Sequence, residues 1–203
     1  KSDGGVPQIE ELAVDLGLSS REEVEKRGIT VGSVGSFLSP FRELEGEAIM
    51  GKAFDDRSGC TIALHTALAW AGSSGADTRP SADLVCLFTT AEEHSHLGAR
   101  AAALSQKADV VLALENTTTT DTPGVPEHKV ITRLGAGPAL TIADKSYIVP
   151  EELLESLKNT AERYEIPWQY KKPLYGGTDA GSLAVLGGGT PAALVSVPCR
   201  YLH

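Results

Sequence analysis

Four short apolar runs, Ala82–Thr89, Ala108–Leu114, Ala139–Ala143 and Ala192–Val197, constrain this chain more than any other feature. A run of that length without polar alternation buries both faces, which is the pattern of a strand inside a parallel sheet. Helix-patterned stretches separate the runs. Cys60–Ala71 carries Ile62, Leu64, Ala67 and Leu68 mostly on one side, and Leu97–Gln106 is a second helix. Glu151–Tyr164 is amphipathic and opened by Pro150, and a turn at Gly176-Gly177 leads into a helix near Asp179–Leu186. Trp168–Lys171 is a short, more polar strand. Alternation of this kind predicts an α/β domain, a mainly parallel sheet sandwiched by helices, which we place over residues 51–203.

Residues 1–50 follow another pattern. The polar, Gly-rich Lys1–Pro7 is a loop, and Glu11–Gly17 alternates like a strand. Ser20 stands three residues before Glu23, the spacing of a capping box, and Gly28 is a left-handed stop for the helix between them. From Ile29 to Met50, Gly and Pro interrupt β-type stretches such as Ser33–Leu38. We expect here the remnant of a linking segment and part of a small β-rich subdomain. The chain opens on Lys1 rather than Met, contains only Met50, and stops at His203 directly after an apolar strand, which predicts a piece of a longer polypeptide, incomplete at both ends.

Composition removes several classes of function. A net charge of −9 argues against nucleic acid and anionic membrane surfaces as partners. No apolar run approaches the ~20 residues needed to cross a bilayer. Cys60, Cys86 and Cys199 are odd in number and scattered, which suits buried thiols in a reducing compartment, and we expect a cytoplasmic protein.

In open α/β sheets, ligands bind beyond the carboxyl ends of the strands. The run Ala82–Thr89 leads into Glu92-Glu93, Ala108–Leu114 into Glu115, and Ala192–Val197 into His203. Asp55-Asp56 precedes the helix Cys60–Ala71. Taken singly, each acid is a helix cap or a solvated loop residue, and the histidine a surface residue. Their convergence on one sheet edge argues otherwise, because Asp, Glu and His together suit Zn²⁺, Co²⁺ or Mn²⁺. Adjacent Glu92 and Glu93 diverge from one backbone point, so one can hold a metal while the other faces its water. Thr178 and Asp179 follow glycines at a helix start, where an N-cap and a substrate contact are equally good readings. His94 and His96 are hydrogen-bonding or solvated imidazoles beside the carboxylates, or additional ligands.

Gly51–Gly59, Thr89–Glu93, Asp121–Gly124, Pro126–Lys129, Gly176–Gly181 and Val197–His203, with Ser19–Glu23 upstream, together resemble the tetrahedral aminopeptidase family of two-metal peptidases. Its members are also called glutamyl or deblocking aminopeptidases, and some carry an older cellulase label. The likeness is collinear over nearly the whole chain and implies a zinc-peptidase-like fold. By that resemblance Asp55 bridges two metals, Glu93 and His203 complete one site, Glu115 serves the other, and Glu92 is the general base. The resemblance further implies two divalent ions, Zn or Co, per full-length subunit, peptide substrates, and self-association into a homo-oligomeric, dodecameric shell. Three departures stand out. Glu115 replaces the family's usual Asp, His94-Ser95-His96 replaces an apolar residue and Gly, and the family's remaining histidine ligand lies on a strand that precedes Lys1. This chain alone is therefore expected to hold at most one ion well. Two other readings compete: a two-carboxylate glycosidase, which needs no metal, and a non-catalytic metal-binding or assembly protein on the same fold.

Overall fold

The computed structural model describes residues 6–72, 81–172, 176–185 and 189–203, and its contacts divide the chain into two units, Lys1–Met50 and Gly51–His203. In the first unit α1 (Arg21–Lys26) starts where Ser20 Oγ accepts a hydrogen bond from the Glu23 N–H at 3.3 Å. The reciprocal bond lands one residue early, on Ser19, whose N–H donates to Glu23 Oε2 at 2.9 Å. The chain leaves the helix through Gly28 at φ +78°, a conformation that favours glycine. Strands β1 (Arg42–Glu43) and β2 (Ile49–Met50) form one antiparallel pair.

The other strands expected in this unit are not assigned. Ile9–Glu11 is a single 3₁₀ turn followed by irregular chain, and Ser33–Leu38 pairs with no strand among the described residues, with Val34, Phe37 and Leu38 almost fully exposed. Alternation selects a strand only where a partner takes up the backbone groups and the apolar face has something to cover. Residues 1–5 of the predicted opening loop lie outside the described residues.

The second unit is built on a four-stranded sheet of β3 (Val111–Thr118), β4 (Ala139–Thr141), β5 (Gln169–Lys171) and β6 (Ala192–Cys199), in the order β3-β6-β4-β5. β3 and β6 run parallel in unbroken register from Val111↔Ala192 to Thr118↔Cys199, and β4 and β5 are also parallel. Only β4 against β6 is antiparallel, so the sheet is mainly parallel, as predicted. Ala113, Leu140, Val149, Leu154, Ala180, Ala184 and Ala192–Leu194 form the core on it. Its helical contributors are α5 (Glu151–Arg163) and α6 (Asp179–Ala184). α4 (Leu97–Ser105) docks on α6 through Ala99, Ala103 and Leu183, small contacts that let the backbones approach closely. Leu186, the predicted end of the last helix, lies outside the described residues.

Three expectations need correction. The run Ala82–Thr89 belongs to no strand among the described residues, and Leu84, Val85, Leu87 and Phe88 are partly exposed. Apolar content specifies burial only if a neighbouring strand supplies the ladder, and here Cys86 Sγ lies against Ala63 O at 3.8 Å instead. α2 (Phe54–Gly72) begins earlier than Cys60, with Asp55 and Asp56 at non-helical φ/ψ, and Ile62, Leu64 and Leu68 are exposed. Finally, β3 does not stop at Leu114. Glu115–Thr118 continue pairing with Ser196–Cys199, so Glu115 sits within the strand rather than beyond it.

Candidate metal centre

Asp55 is placed by its neighbours. Asp56 Oδ1 accepts from the Gly59 N–H at 2.8 Å, which starts the regular part of α2. A Cβ on Gly59 would come within 2.3 Å of that carboxylate, so a larger residue there would displace the Asp56 side chain from this bond. With its amide nitrogen turned towards α2, Asn116 of β3 donates to Asp56 Oδ1 at 2.8 Å and to Phe54 O at 3.0 Å, clamping the segment to the sheet. His203 is positioned from the other side. Past β6, Arg200 Nη2 pairs with Asp121 Oδ1 at 3.2 Å, and Asp121 Oδ2 accepts from the Leu134 N–H at 3.0 Å. Asp121, singled out by its motif, thus anchors the turn that carries His203.

Glu93 comes from α3 (Glu92–Ser95), a single turn entered through Ala91 at φ +59°. His203 Nε2 lies 3.8 Å from Glu93 Oε2 and 3.9 Å from Asp55 Oδ2, and one ligand atom from each residue falls within 4.8 Å of the others. Ligands held at ~2.0–2.2 Å from a shared ion stand up to ~4 Å apart. The three donors therefore fit a divalent cation, and their carboxylate–imidazole chemistry suits Zn²⁺ or Co²⁺.

Glu92 diverges from Glu93 as adjacent residues on one turn must. Its Oε1 lies 3.3 Å from His96 Nδ1, which is also 3.3 Å from Asp179 Oδ1. Asp179 Oδ2 accepts from Thr89 Oγ1 at 2.6 Å. Glu92, His96 and Asp179 form the second three-donor group among the described residues, and Glu115 belongs to neither group. Glu115 nevertheless faces both: burial first, and then the charges of Glu92, Asp56, Asp179 and Asp55, push its carboxyl up to about 9. Asp55 is pushed up to about 6, mainly by burial and then by the charge of Glu93, with His203 opposing. Burial also raises Glu92 and Asp56. Several acids held above their ordinary range in one place form a site that a cation would relieve.

Thr178 does not cap α6 with its side chain. Its hydroxyl donates to Asp144 Oδ2 at 3.1 Å, while Asp144 Oδ1 accepts from the N–H groups of Ser146 and Tyr147. Of the two extra histidines, His94 is exposed and joins neither group, whereas His96 sits between two carboxylates. The partnership of His96 with Asp179, 83 residues away, left no trace in local spacing.

The family model for M42 glutamyl aminopeptidases matches residues 1–203. The chain belongs to that family. The protein FrvX of Escherichia coli (strain K12) is 35% identical over 198 residues, 96% of this chain and 53% of FrvX. The lysyl aminopeptidase of Pyrococcus furiosus is 30% identical over 204 residues, 100% of this chain and 56% of that enzyme. Among solved structures, an aminopeptidase from the archaeon Desulfurococcus kamchatkensis superposes with a TM-score of 0.86 at 35% identity, covering 99% of this chain and 55% of that one. The TET1 peptidase of Pyrococcus horikoshii, which can assemble into a tetrahedron or a large octahedral shell, gives a TM-score of 0.70 at 25% identity, covering 99% and 56%. This M42 chain therefore spans about half the length of the relatives it matches.

Proposed function

We propose that the protein is a metal-dependent aminopeptidase that removes N-terminal residues from peptides, with Glu92 as general base. The observation that carries this reading is the Asp55–Glu93–His203 donor group, with Glu92, which is not one of those three donors, on the same helical turn as Glu93. Asp55, Glu93 and His203 would hold one ion, and Asp55 with Glu115 would contribute to a second. When bound, the ions supply a Lewis acid that makes a water acidic enough to be deprotonated near neutral pH. Glu92 would take a proton from the attacking water as that water's oxygen bonds to the scissile carbonyl carbon, and would return it to the leaving amine as the C–N bond breaks. Burial raises Glu92, which brings it closer to the pH at which a base both accepts and gives up a proton well. Thr178 and Asp179 would form the wall against which the substrate lies.

The metal is Zn or Co in this reading, and the protein self-associates into a dodecamer like the shells described for TET relatives. Its free cysteines support a cytoplasmic location. No described helix is long and apolar enough to cross a membrane. The alternative of a non-catalytic metal-binding or assembly protein predicts metal binding without turnover. The test is hydrolysis of an aminoacyl substrate panel before and after metal removal, with Glu92→Gln alongside. Chelation should abolish activity and Zn²⁺ or Co²⁺ restore it, while Glu92→Gln keeps the metal and loses ~10²–10⁴-fold in kcat. Near-normal turnover of Glu92→Gln would remove Glu92 from the reaction.

A further inference from the structure

We propose that His96, hydrogen-bonded through Nδ1 to Asp179, is a positioning residue that holds the carboxylate of Glu92 by a close contact from the same nitrogen. This rests on the reading of Glu92 as the base and adds to it the group that aims that base. His96 occupies the junction of α3 and α4 at φ +54°, a left-handed conformation uncommon for a residue other than glycine. Its backbone is used twice: the N–H donates to Glu92 O at 3.4 Å, and the carbonyl accepts from the Arg100 N–H at 3.0 Å. The ring is mostly buried, with Nδ1 facing Glu92 Oε1 and Asp179 Oδ1 at 3.3 Å each.

Ionised carboxylates only accept hydrogen bonds, so the nitrogen between two of them carries the proton. Asp179 is itself fixed, since its other oxygen accepts from Thr89 Oγ1 at 2.6 Å. The chain of contacts therefore runs from Thr89 through Asp179 and His96 to one oxygen of Glu92, leaving the second oxygen for the water's proton. Gly177 flanks the other ring nitrogen, where even a Cβ would stand 3.6 Å from Nε2, so the imidazole is not crowded out of this orientation. A base held in one rotamer reacts faster than one that samples several, at unchanged substrate affinity.

The experiment compares His96→Ala, His96→Asn and Glu92→Gln, singly and as Glu92→Gln/His96→Ala, in the metal-loaded full-length protein, with metal content measured for each. His96→Ala should lower kcat by ~10–100-fold with KM within about twofold and metal content unchanged. His96→Asn, whose side-chain N–H lies near the position of Nδ1–H, should recover most of the loss. In the Glu92→Gln background, His96→Ala should change kcat little, because the group it positions is already gone. A defect in Glu92→Gln with normal kcat in His96→Ala overturns the positioning role and leaves the base in place. A normal Glu92→Gln overturns the base itself. Loss of a metal equivalent in both His96 variants would make His96 a ligand and also overturn the proposal. If His96→Ala does not fold, the folded His96→Asn decides: kcat as low as in Glu92→Gln overturns the proposal, and kcat near that of the unaltered protein supports it.

Discussion

Asp55 and Glu115 meet the same difficulty at different depths: each is a carboxyl among carboxyls, partly or wholly removed from water. Because Glu115 titrates near 9 in the folded chain and near 4.5 when unfolded, the folded state binds its proton more tightly. Its contribution to stability is full below about 4.5 and is lost as pH rises through about 9. In the presence of a chelator, stability measured by urea unfolding should therefore fall between pH 5 and 9, by at most ~1.4 kcal/mol per pH unit from this residue. Glu115→Gln should flatten that slope, and an unaltered slope would assign the burden to another group. A cation acts in the opposite sense. Binding must displace the proton of Asp55, so affinity for Zn²⁺ should weaken as pH falls below about 6, with proton release measurable by calorimetry. Asp55, Glu93 and His203 were visible in the sequence as acids and a histidine flanking patterned segments, and the fold brings one ligand atom of each within 4.8 Å of the others. His96 was visible only as a departure from the family pattern, since its partner Asp179 is joined to it by folding and not by spacing.

At the scale of elements, β3 shows what the sequence can and cannot disclose. Its apolar half is unmistakable, but Glu115–Thr118 extend it because parallel pairing with β6 continues past the apolar run. Hydropathy does not register backbone pairing, and for the same reason it overstates Ala82–Thr89, which has the right side chains and no ladder among the described residues. The docking of α6 is likewise set by something hydropathy does not see. A Cβ on Gly181 would lie 2.4 Å from Ser146 Oγ and 2.7 Å from Ser146 Cβ, in the Asp144 turn that also receives the Thr178 hydroxyl. Gly181→Ala should consequently push that turn off α6 and cost ~1–3 kcal/mol of stability, as overpacking does. Ser146→Gly removes both offending atoms, so the double variant should regain part of the loss. Strict additivity of the two substitutions in urea unfolding would show that the clash is absorbed elsewhere.

For the whole molecule, the donor group Asp55–Glu93–His203 joins three segments that share nothing but the fold: the entry to α2, the turn of α3, and the chain past β6. An ion held by all three binds the folded chain and not the separated segments of the unfolded one. It therefore stabilises by mass action, ~2.7 kcal/mol at a hundredfold excess over Kd. For a chain of about this size each kcal/mol moves the melting temperature by ~2–4 °C, so saturating Zn²⁺ or Co²⁺ should raise Tm by ~5–10 °C and a chelator should reverse it. His203 is the weak strut of the three. Its side chain is the most exposed of them, at 68%, and the chain leading to it is tied back through the Arg200–Asp121 contact. His203→Ala should leave the metal-free Tm within about 1–2 °C of the original, since an exposed side chain contributes little by itself. It should remove most of the metal-dependent rise, because two carboxylates without the imidazole hold the ion far more loosely. Arg200→Ala should remove part of the rise without touching a ligand, by freeing the turn that presents His203. A metal-dependent rise that survives His203→Ala intact would place the ion among other donors, with the Glu92–His96–Asp179 group the first to examine.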